Sequence, residues 1–267
     1  MQCILTIAGS DSGGGAGIQA DLKTFEALGL FGTSVITAIT AQNTLGVTAI
    51  HEAPVAVVVA QIDAVVSDLR PAAVKVGMLS SPAIVAAVAA AIARHYLANV
   101  VVDPVMVAKS GDRLLRPEAV DALVRLLLPL ATVLTPNLPE AAVLLGRPVL
   151  TLEDQEAAAR DIALLGPQAV VVKGGHSDGD PVDVLWTADA VRHYPARRIV
   201  TSSTHGTGCT FSSAIAGYLA LGLPLSEAVG AAKRYLTGAI AYAPGLGSGH
   251  GPINHHWQQT VSAAASR

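Results

Sequence analysis

Short runs rich in β-branched residues alternate with longer amphipathic stretches along most of this chain, and no other feature limits its fold as strongly. Strands that alternate with helices predict βαβ units, right-handed crossovers and a mostly parallel sheet. The predicted strands are Cys3–Ala8, Ser34–Ile39, Ala73–Val76, Asn99–Asp103, Thr132–Thr135, Ala169–Lys173 and a hairpin of Val182–Trp186 with Ala190–Tyr194. The predicted helices are Ile18–Leu28, Val55–Leu69, Ile84–Tyr96, Glu118–Leu128, Glu153–Leu165, Thr210–Leu221 and Ser226–Tyr242.

The composition agrees with a sheet that is buried on both faces. Hydrophobic residues make up 51% of the 267 residues and charged residues 14%, which argues against a disordered chain. The longest apolar stretch, Ile84–Ala93, is shorter than the roughly 20 residues that a membrane-spanning helix needs. No linker and no repeat divides the chain. We therefore predict one domain over 1–267, with a frayed tail at 258–267.

Charge and cysteine content narrow the class of protein. The net charge is −3 and aromatic residues make up 4%, so the sequence predicts no nucleic-acid partner. The two cysteines, Cys3 and Cys209, cannot build a disulfide framework and indicate a reducing compartment. The N-terminus resembles a strand rather than a signal peptide. We expect a cytoplasmic protein with no membrane partner.

Polar residues gather where the predicted parallel strands end. Gly9, Asp103 and Lys173 follow or close three strands, and Gln42 and Asn137 follow two others after short gaps. Ligands of open α/β sheets bind beyond the carboxyl ends of the strands. Polar groups at five strand ends on one rim therefore predict a binding site.

Four glycines within the range Gly13–Gly17 separate the first strand from the first helix. Their amides could approach an anion closely. The run has neither the Gly-Lys-Ser/Thr of a P-loop nor the spacing of a dinucleotide site. A plain turn is the alternative, but the glycine density favours a functional loop. Asp21, one turn into the helix, is by itself explained as an acid that complements the helix dipole.

Three further motifs allow both a structural and a functional interpretation. Asp103, before Pro104, either caps a turn or has a functional role, in which it binds Mg²⁺ indirectly or orients a hydroxyl group. Asn137 and Glu140 form either a capping box or an oxygen-rich pair that holds Mg²⁺ through water. Lys173 is either an exposed residue beside a glycine turn or a point charge for a phosphate.

The segment Gly206–Cys209 opens an apolar helix and carries the most chemistry. Gly206 and Gly208 let consecutive amides, with that of Thr207 between them, converge on an anion at the helix N-terminus. Such a nest suits the charge that develops on a transferring phosphoryl group. A thiol at this positive end has a lowered pKa, so Cys209 is predicted to be a partly ionised base. A small buried cysteine is the alternative.

Taken in order from about residue 3 to 257, the motifs resemble those of bacterial hydroxymethylpyrimidine/phosphomethylpyrimidine kinases. One departure is Gly13, where that family usually has serine. The matching segments are Ala8–Asp21, Thr40–Thr44, Asp103–Gly111, Val172–His176, His205–Ser213 and Gly247–Pro252.

The resemblance implies a ribokinase-like fold, a three-layer α/β/α sandwich with a mostly parallel central sheet. It implies successive ATP-dependent phosphorylation of 4-amino-5-hydroxymethyl-2-methylpyrimidine to its mono- and diphosphate in thiamine biosynthesis. It further implies that Asp21 and Gln42 bind the pyrimidine edge, with Gly9, Met78 and Val105 close by. Homodimers are common in that family.

The resemblance also assigns the reacting groups. Cys209 occupies the base position, Asn137 and Glu140 match a pair linked to Mg²⁺, and Lys173 matches a residue on the phosphate side. We hypothesise that the Gly206–Cys209 amides, Lys173 and Mg²⁺ stabilise the transferring charge. Cys209 would take the alcohol proton in the first step only, since the second nucleophile is an ionised phosphate.

Three rival functions stay open on the sequence. A pyridoxal kinase of the same superfamily would also phosphorylate a heteroaromatic primary alcohol, and dual activity fits the sequence. A catalytically silent nucleotide-binding module is the second rival, against which Cys209 and Lys173 argue. The third is a serine hydrolase using Ser177, although the match of Gly175–Gly179 to G-x-S-x-G leads into a predicted strand rather than a helix.

Overall fold

The computed structural model describes residues 1–106, 117–177 and 179–260. Part of one matching motif, residues 107–111, lies outside the described residues. The strands are β1 (Cys3–Asp11), β2 (Phe31–Gln42), β3 (Val47–Glu52), β4 (Val74–Val76), β5 (Val100–Val102), β6 (Val133–Leu134), β7 (Val170–Val172), β8 (Val182–Trp186) and β9 (Val191–Pro195). The helices are α1 (Gly17–Ala27), α2 (Val55–Leu69), α3 (Pro82–Arg94), α4 (Pro117–Ala122), α5 (Leu138–Leu145), α6 (Leu152–Ala163), α7 (Thr207–Ala220) and α8 (Leu225–Ala241).

The described strands form one sheet in the order β3-β2-β1-β4-β5-β6-β7-β8-β9. The six strands from β2 to β7 in that order pair in parallel, whereas β3 at one edge and the β8–β9 hairpin at the other pair antiparallel. The predicted mostly parallel sheet is confirmed. All six predicted parallel strands are present, and the predicted hairpin is β8–β9.

Helices cover both faces of the sheet, and β5 shows how each face is buried. Val100 and Val102 pack in one hydrophobic core with residues of α2, α3, α5 and α6, such as Ile84. Val101 points to the other core, which contains Phe211 of α7 and residues of α1 and α8. Each fully buried side chain of this size contributes about 1.5–3 kcal/mol. These two cores confirm the three-layer α/β/α architecture.

Two elements of the structure were not predicted from the sequence. The edge strand β3 is mostly exposed, so its residues do not form the continuous apolar run that marks the central strands. Helix α5 has only eight residues, which is too short for a clear helical period. The only sign of this helix in the sequence is the capping-box pattern of Asn137 and Glu140 at its start.

The C-terminal end differs slightly from the predicted frayed tail. Residues 257–260 continue as a helical turn, and 261–267 lie outside the described residues. Trp257 stacks on Tyr242 with ring centroids 5.9 Å apart. Across the described parts of the chain, no helix combines the length and the apolar character needed to cross a membrane.

Candidate active site

A cavity of about 680 Å³ opens at the carboxyl ends of the parallel strands, where the sequence placed the binding site. Its volume lies in the range of small-molecule sites. It brings together residues that are far apart in the sequence, including every predicted site residue except Asp21. The predicted residues that line it are Gly9, Gln42, Met78, Asp103, Val105, Asn137, Glu140, Lys173, Gly206, Thr207, Gly208 and Cys209.

Asp21 lies beneath this cavity rather than on its wall. Asp21 is completely buried, and both of its carboxylate oxygens accept hydrogen bonds. Oδ2 accepts hydrogen bonds from Thr6 Oγ1 at 2.6 Å and Lys75 Nζ at 2.9 Å, while Oδ1 accepts one from Ser213 Oγ at 2.6 Å. In this structure Asp21 does not line the cavity but pairs with Lys75, which does. The contact between Asp21 and a pyrimidine stays a prediction.

Lys75 is a site residue that the sequence reasoning missed. It lies in the middle of β4 between two buried valines, and its own side chain is completely buried while it lines the cavity. Burial is the largest single effect on the pKa of Lys75 and lowers it, but Asp21, Cys209 and Asp103 together raise it above its ordinary value. Lys75 is therefore a permanent positive charge at the cavity floor. A lysine inside a valine strand is the signal that could have found it, because lysine is almost never fully buried without a partner.

A second lysine–aspartate pair lies on the cavity wall. Lys173 Nζ is 2.7 Å from Asp103 Oδ1, and 13% of the Lys173 side chain remains exposed. Burial alone would lower the pKa of Lys173, but Asp103 and Glu140 raise it. A Cβ atom on Gly208 would lie 3.3 Å from Lys173 Nζ, so this pair borders the start of α7. The wall thus presents a protonated amine beside the predicted anion nest.

Asn137 and Glu140 form a complete capping box at the start of α5. The Glu140 amide donates to Asn137 Oδ1 at 2.8 Å, and the Asn137 amide donates to Glu140 Oε2 at 2.7 Å. The structural interpretation of this motif is therefore confirmed. Burial raises the pKa of Glu140 to about 7, with the nearby Asp103 adding to the rise and Lys173 opposing it.

These residues fit a hydrated Mg²⁺ better than a directly bound one. Within the described ranges, no group of three His, Cys, Asp or Glu side chains is placed to hold a metal ion. Asp103 Oδ1 already accepts from Lys173, and Glu140 Oε2 from the Asn137 amide. Mg²⁺ usually keeps several of its water ligands, which suits carboxylates that are already hydrogen-bonded. A divalent cation here would also favour the ionised form of Glu140.

The turn Gly206–Cys209 forms the N-terminus of α7. Gly206 is the cap residue with φ of 78°, and a side chain there would collide with the Gly15 carbonyl. The Thr210 amide donates back to Gly206 O at 2.8 Å. The amides of Gly208 and Cys209, in the first helical turn, have no carbonyl of the helix to bond. They lie on the cavity wall, as the predicted nest requires.

The predicted ionised state of Cys209 is wrong for this structure. Burial raises the pKa of the Cys209 thiol to about 11, although Lys75 and the Gly17 amide both act to lower it. The helix N-terminus is thus too weak to offset the loss of hydration around the sulfur. At neutral pH the thiol of Cys209 is protonated.

The glycine run binds an anion, but the anion belongs to the chain itself. Asp11 Oδ1 accepts from the Gly13 amide at 2.8 Å, and Oδ2 accepts from the amides of Gly15 and Ala16 at 3.0 and 2.8 Å. Burial would raise the pKa of Asp11, but the His205 side chain and these amides lower it. The glycine density is therefore explained by an internal carboxylate rather than by a ligand phosphate.

The far end of the cavity contains a third lysine–aspartate pair, which the sequence did not indicate. Lys233 Nζ lies 2.7 Å from Asp183 Oδ2, and Asp183 Oδ1 accepts from the Gly174 amide at 2.8 Å. Asp183 therefore fixes the turn that follows Lys173. Ser177 Oγ donates to the Gly174 carbonyl, and the chain continues into β8, so the hydrolase elbow is absent from this described stretch.

Comparison with known proteins settles the family. Residues 11–254 match the family described as phosphomethylpyrimidine kinase. The chain belongs to the phosphomethylpyrimidine kinase family. It is 56% identical over 255 residues to the hydroxymethylpyrimidine/phosphomethylpyrimidine kinase of Rhizobium meliloti strain 1021, covering 94% of this chain and 96% of that protein. As a member of this family, the chain is a phosphotransferase of thiamine biosynthesis with a ribokinase-like fold.

Two solved structures of different kinases resemble this chain. The phosphomethylpyrimidine kinase of Clostridium difficile 630 is 48% identical, with a TM-score of 0.81 over 90% of this chain and 100% of that chain. The pyridoxal kinase of Bacillus subtilis, solved as an ADP complex, is 40% identical, with a TM-score of 0.91 over 97% of this chain and 99% of that chain. The fold alone therefore does not separate the two kinds of kinase.

Proposed function

We propose that this phosphomethylpyrimidine kinase family member transfers the γ-phosphoryl group of ATP to 4-amino-5-hydroxymethyl-2-methylpyrimidine and then to the resulting monophosphate. One observation carries the proposal. A single cavity is lined by the helix N-terminus at Gly206–Cys209, by the Lys173–Asp103 pair and by four of the five predicted pyrimidine contacts, Gly9, Gln42, Met78 and Val105. The 56% identity to a relative that is named for this pair of activities supports the substrate.

The pyrimidine would lie at the end of the cavity formed by β1, β2 and β4. Gln42 offers an amide that can pair with the ring edge, and Gly9, Met78 and Val105 offer apolar contact. A Cβ on Gly9 would lie 3.1 Å from Met78 Cε, so the glycine lets Met78 pack closely beside it at this end of the cavity. Lys75 at the floor, whose side chain has no exposed surface, adds a fixed positive charge beneath the ring.

The transferring phosphoryl group would lie between Lys173 and the amides of Gly206–Cys209. Phosphoryl transfer depends mainly on positioning and on stabilising charge. An ammonium group and preorganised amides supply both in a partly enclosed site. Asp103, Asn137 and Glu140 would hold Mg²⁺ through water, and the cation would neutralise charge on the nucleotide phosphates when bound.

Cys209 would hold or guide the proton of the hydroxymethyl group. Because its thiol is protonated in the free protein, it can act as a base only when the bound substrate and neighbouring charges lower its pKa. The monophosphate needs no such base, since its phosphate is already ionised. The two phosphorylation steps therefore differ in their dependence on Cys209.

The decisive experiment is an ATP-consumption assay with the hydroxymethylpyrimidine in which the mono- and diphosphate are quantified separately. We expect both products to form in sequence. ATP turnover without either product would contradict the proposal. No turnover at all would also contradict it and would leave a silent nucleotide-binding module as the better description.

A pyridoxal kinase activity is the second candidate, and it rests on the structural comparison. The pyridoxal kinase of Staphylococcus aureus in complex with pyridoxal has a TM-score of 0.90 and 34% identity. Measuring kcat/KM for the pyrimidine and for pyridoxal on the same preparation separates the candidates. We expect the pyrimidine to be preferred, and a ratio that favours pyridoxal would reverse the assignment.

We also propose that the enzyme acts in the cytoplasm as a homodimer that uses ATP with Mg²⁺ and binds no nucleic acid. Structural neighbours bound to ADP or to an ATP analogue support the nucleotide. Light scattering after size-exclusion chromatography tests the oligomeric state. A mass near the 27.1 kDa of the single chain would exclude the dimer.

A further inference from the structure

Asp11 and His205 connect the first loop, which contains the glycine run Gly13–Gly17, with the turn that begins α7. His205 Nε2 lies 2.8 Å from Asp11 Oδ2, and 194 positions separate the two residues in the sequence. Only 10% of the His205 side chain and 3% of the Asp11 side chain are exposed. The contact therefore lies inside the cavity wall rather than on the outer surface.

This contact fixes the protonation pattern of the imidazole. Asp11 is an acceptor whose pKa is lowered, despite burial, by the His205 side chain and the loop amides. His205 must therefore present an N–H at Nε2. Gln42 Nε2 lies 3.5 Å from the same nitrogen, and two donors do not bond each other. Asp11 thus keeps Nε2 of His205 from accepting a hydrogen bond from the amide of Gln42, a predicted substrate residue.

The two turns also touch through their backbones. A side chain on Gly206 would collide with the Gly15 carbonyl, and one on Gly15 would collide with the His205 ring. His205 is further held by its own amide, which donates to the Gly251 carbonyl at 3.0 Å. The position of the first loop therefore determines where the turn Gly206–Cys209 can lie.

The first loop reaches the thiol as well. The Gly17 amide acts to lower the pKa of the Cys209 thiol, so the end of the loop that Asp11 organises lies near the predicted reacting residue. Displacing a reacting group by about 1 Å can cost roughly a hundredfold in rate. A contact that orders both sides of the phosphoryl site should therefore affect turnover more than affinity.

We propose that Asp11 and His205 form a positioning latch that holds the Gly206–Cys209 turn against the first loop and is required for full turnover. The latch rests on the proposed kinase function, but it concerns two residues that hold the site without needing to touch the reacting atoms. It deepens that function by adding Asp11 and His205, as positioning residues, to the anion nest.

The test compares His205→Leu with His205→Gln in a Cys3→Ser background, where Cys209 is the remaining thiol. Leucine removes the donor, whereas the glutamine amide can reach about as far as Nε2 and still donate to Asp11. We expect His205→Leu to lower kcat for the pyrimidine by about 10- to 100-fold with KM changed less than about threefold. We expect His205→Gln to recover most of kcat.

A matched control is His193→Leu, because His193 Nε2 also pairs with a carboxylate, Glu156, at 2.9 Å on the outer surface. This control should keep the kcat of the parent. The partner variant Asp11→Asn, alone and combined with His205→Leu, completes a double-mutant cycle. If the two residues act as one unit, the double variant loses about as much as either single variant.

A second readout does not depend on the substrate. The rate at which iodoacetamide alkylates Cys209, followed by mass spectrometry, should rise at least about threefold in His205→Leu and stay near the parent rate in His205→Gln. Should the parent phosphorylate neither pyrimidine nor pyridoxal, the proposed function fails while this readout still tests the latch. An unchanged alkylation rate in His205→Leu, or equal loss of kcat in both His205 variants, overturns the latch.

Discussion

Two buried lysine–aspartate pairs flank Cys209, and they differ in their access to the cavity. Asp21 and Lys75 are both sealed, with no exposed side-chain surface. Asp103 and Lys173 have the same chemistry and a similar separation, 2.7 Å against 2.9 Å, but the Lys173 amine reaches the cavity. The sealed pair can only set a fixed local charge, whereas the open pair can exchange its partner for a ligand phosphate. Burial, rather than residue type, is therefore the difference between the two pairs.

The largest effect should follow from breaking the sealed pair. Lys75→Met leaves the Asp21 carboxylate buried without its counter-charge, which should cost about 3–5 kcal/mol of unfolding free energy. Urea unfolding followed by circular dichroism measures the loss. The double variant Asp21→Asn/Lys75→Met removes both charges and should recover much of it. The surface pair of Arg147 and Asp161 is the control, and Arg147→Met should cost less than about 1 kcal/mol.

Breaking the open pair should affect catalysis instead. Lys173→Met should reduce kcat about 10²- to 10³-fold, since it removes a charge that stabilises the transferring phosphoryl group. Its loss of stability should be less than half that of Lys75→Met, because cavity water can hydrate Asp103. Steady-state kinetics and urea unfolding on the same protein separate the two effects. A variant with normal kcat and a large loss of stability would make the two pairs equivalent.

Cys209 lies between the pairs and should distinguish the two reaction steps. Cys209→Ala should slow phosphorylation of the alcohol about 10²-fold, the lower range for an acid–base group, and slow phosphorylation of the monophosphate only a few-fold. Single-turnover assays started from each substrate measure the steps separately. Equal losses in both steps would mean that Cys209 only shapes the cavity.

The smallest effect concerns the pH dependence of the open cluster. The pKa of Glu140 is raised to about 7, above its ordinary value of 4.5, so the folded protein keeps a proton that the unfolded chain has lost between these values. Stability should therefore fall as pH rises from about 5 to 7, by an amount on the order of 1 kcal/mol. Glu140→Gln should flatten this slope in EDTA, whereas Glu153→Gln, at an exposed position, should not. An unchanged slope in Glu140→Gln would remove Glu140 as the cause.

The central sheet could be predicted from the sequence because both of its faces are buried. Strands such as β5 and β7 are runs of valine with no polar side, and such runs are visible without partners. The position of the site followed from the polar residues at the strand ends. Helix α5 and the mostly exposed strand β3 were missed, since their local patterns are short or mixed.

The contacts within the site could not be predicted, since they join distant parts of the chain. Asp21 meets Lys75 across 54 positions and Ser213 across 192, and no local pattern reports either contact. The prediction that Cys209 is partly ionised was wrong for a similar reason. The helix N-terminus is visible in the sequence, but the burial that outweighs it depends on the tertiary packing around the sulfur.

The two edges of the sheet have unequal consequences for the behaviour of the protein at high concentration. Strand β9 forms one edge, carries the exposed residues Arg192 and His193, and ends at Pro195, which has no amide hydrogen to donate. Charged residues and proline on an edge strand hinder the addition of a further strand. Uncontrolled growth of the sheet from that side is therefore disfavoured, and the opposite edge, β3, is where strand-to-strand aggregation would have to begin.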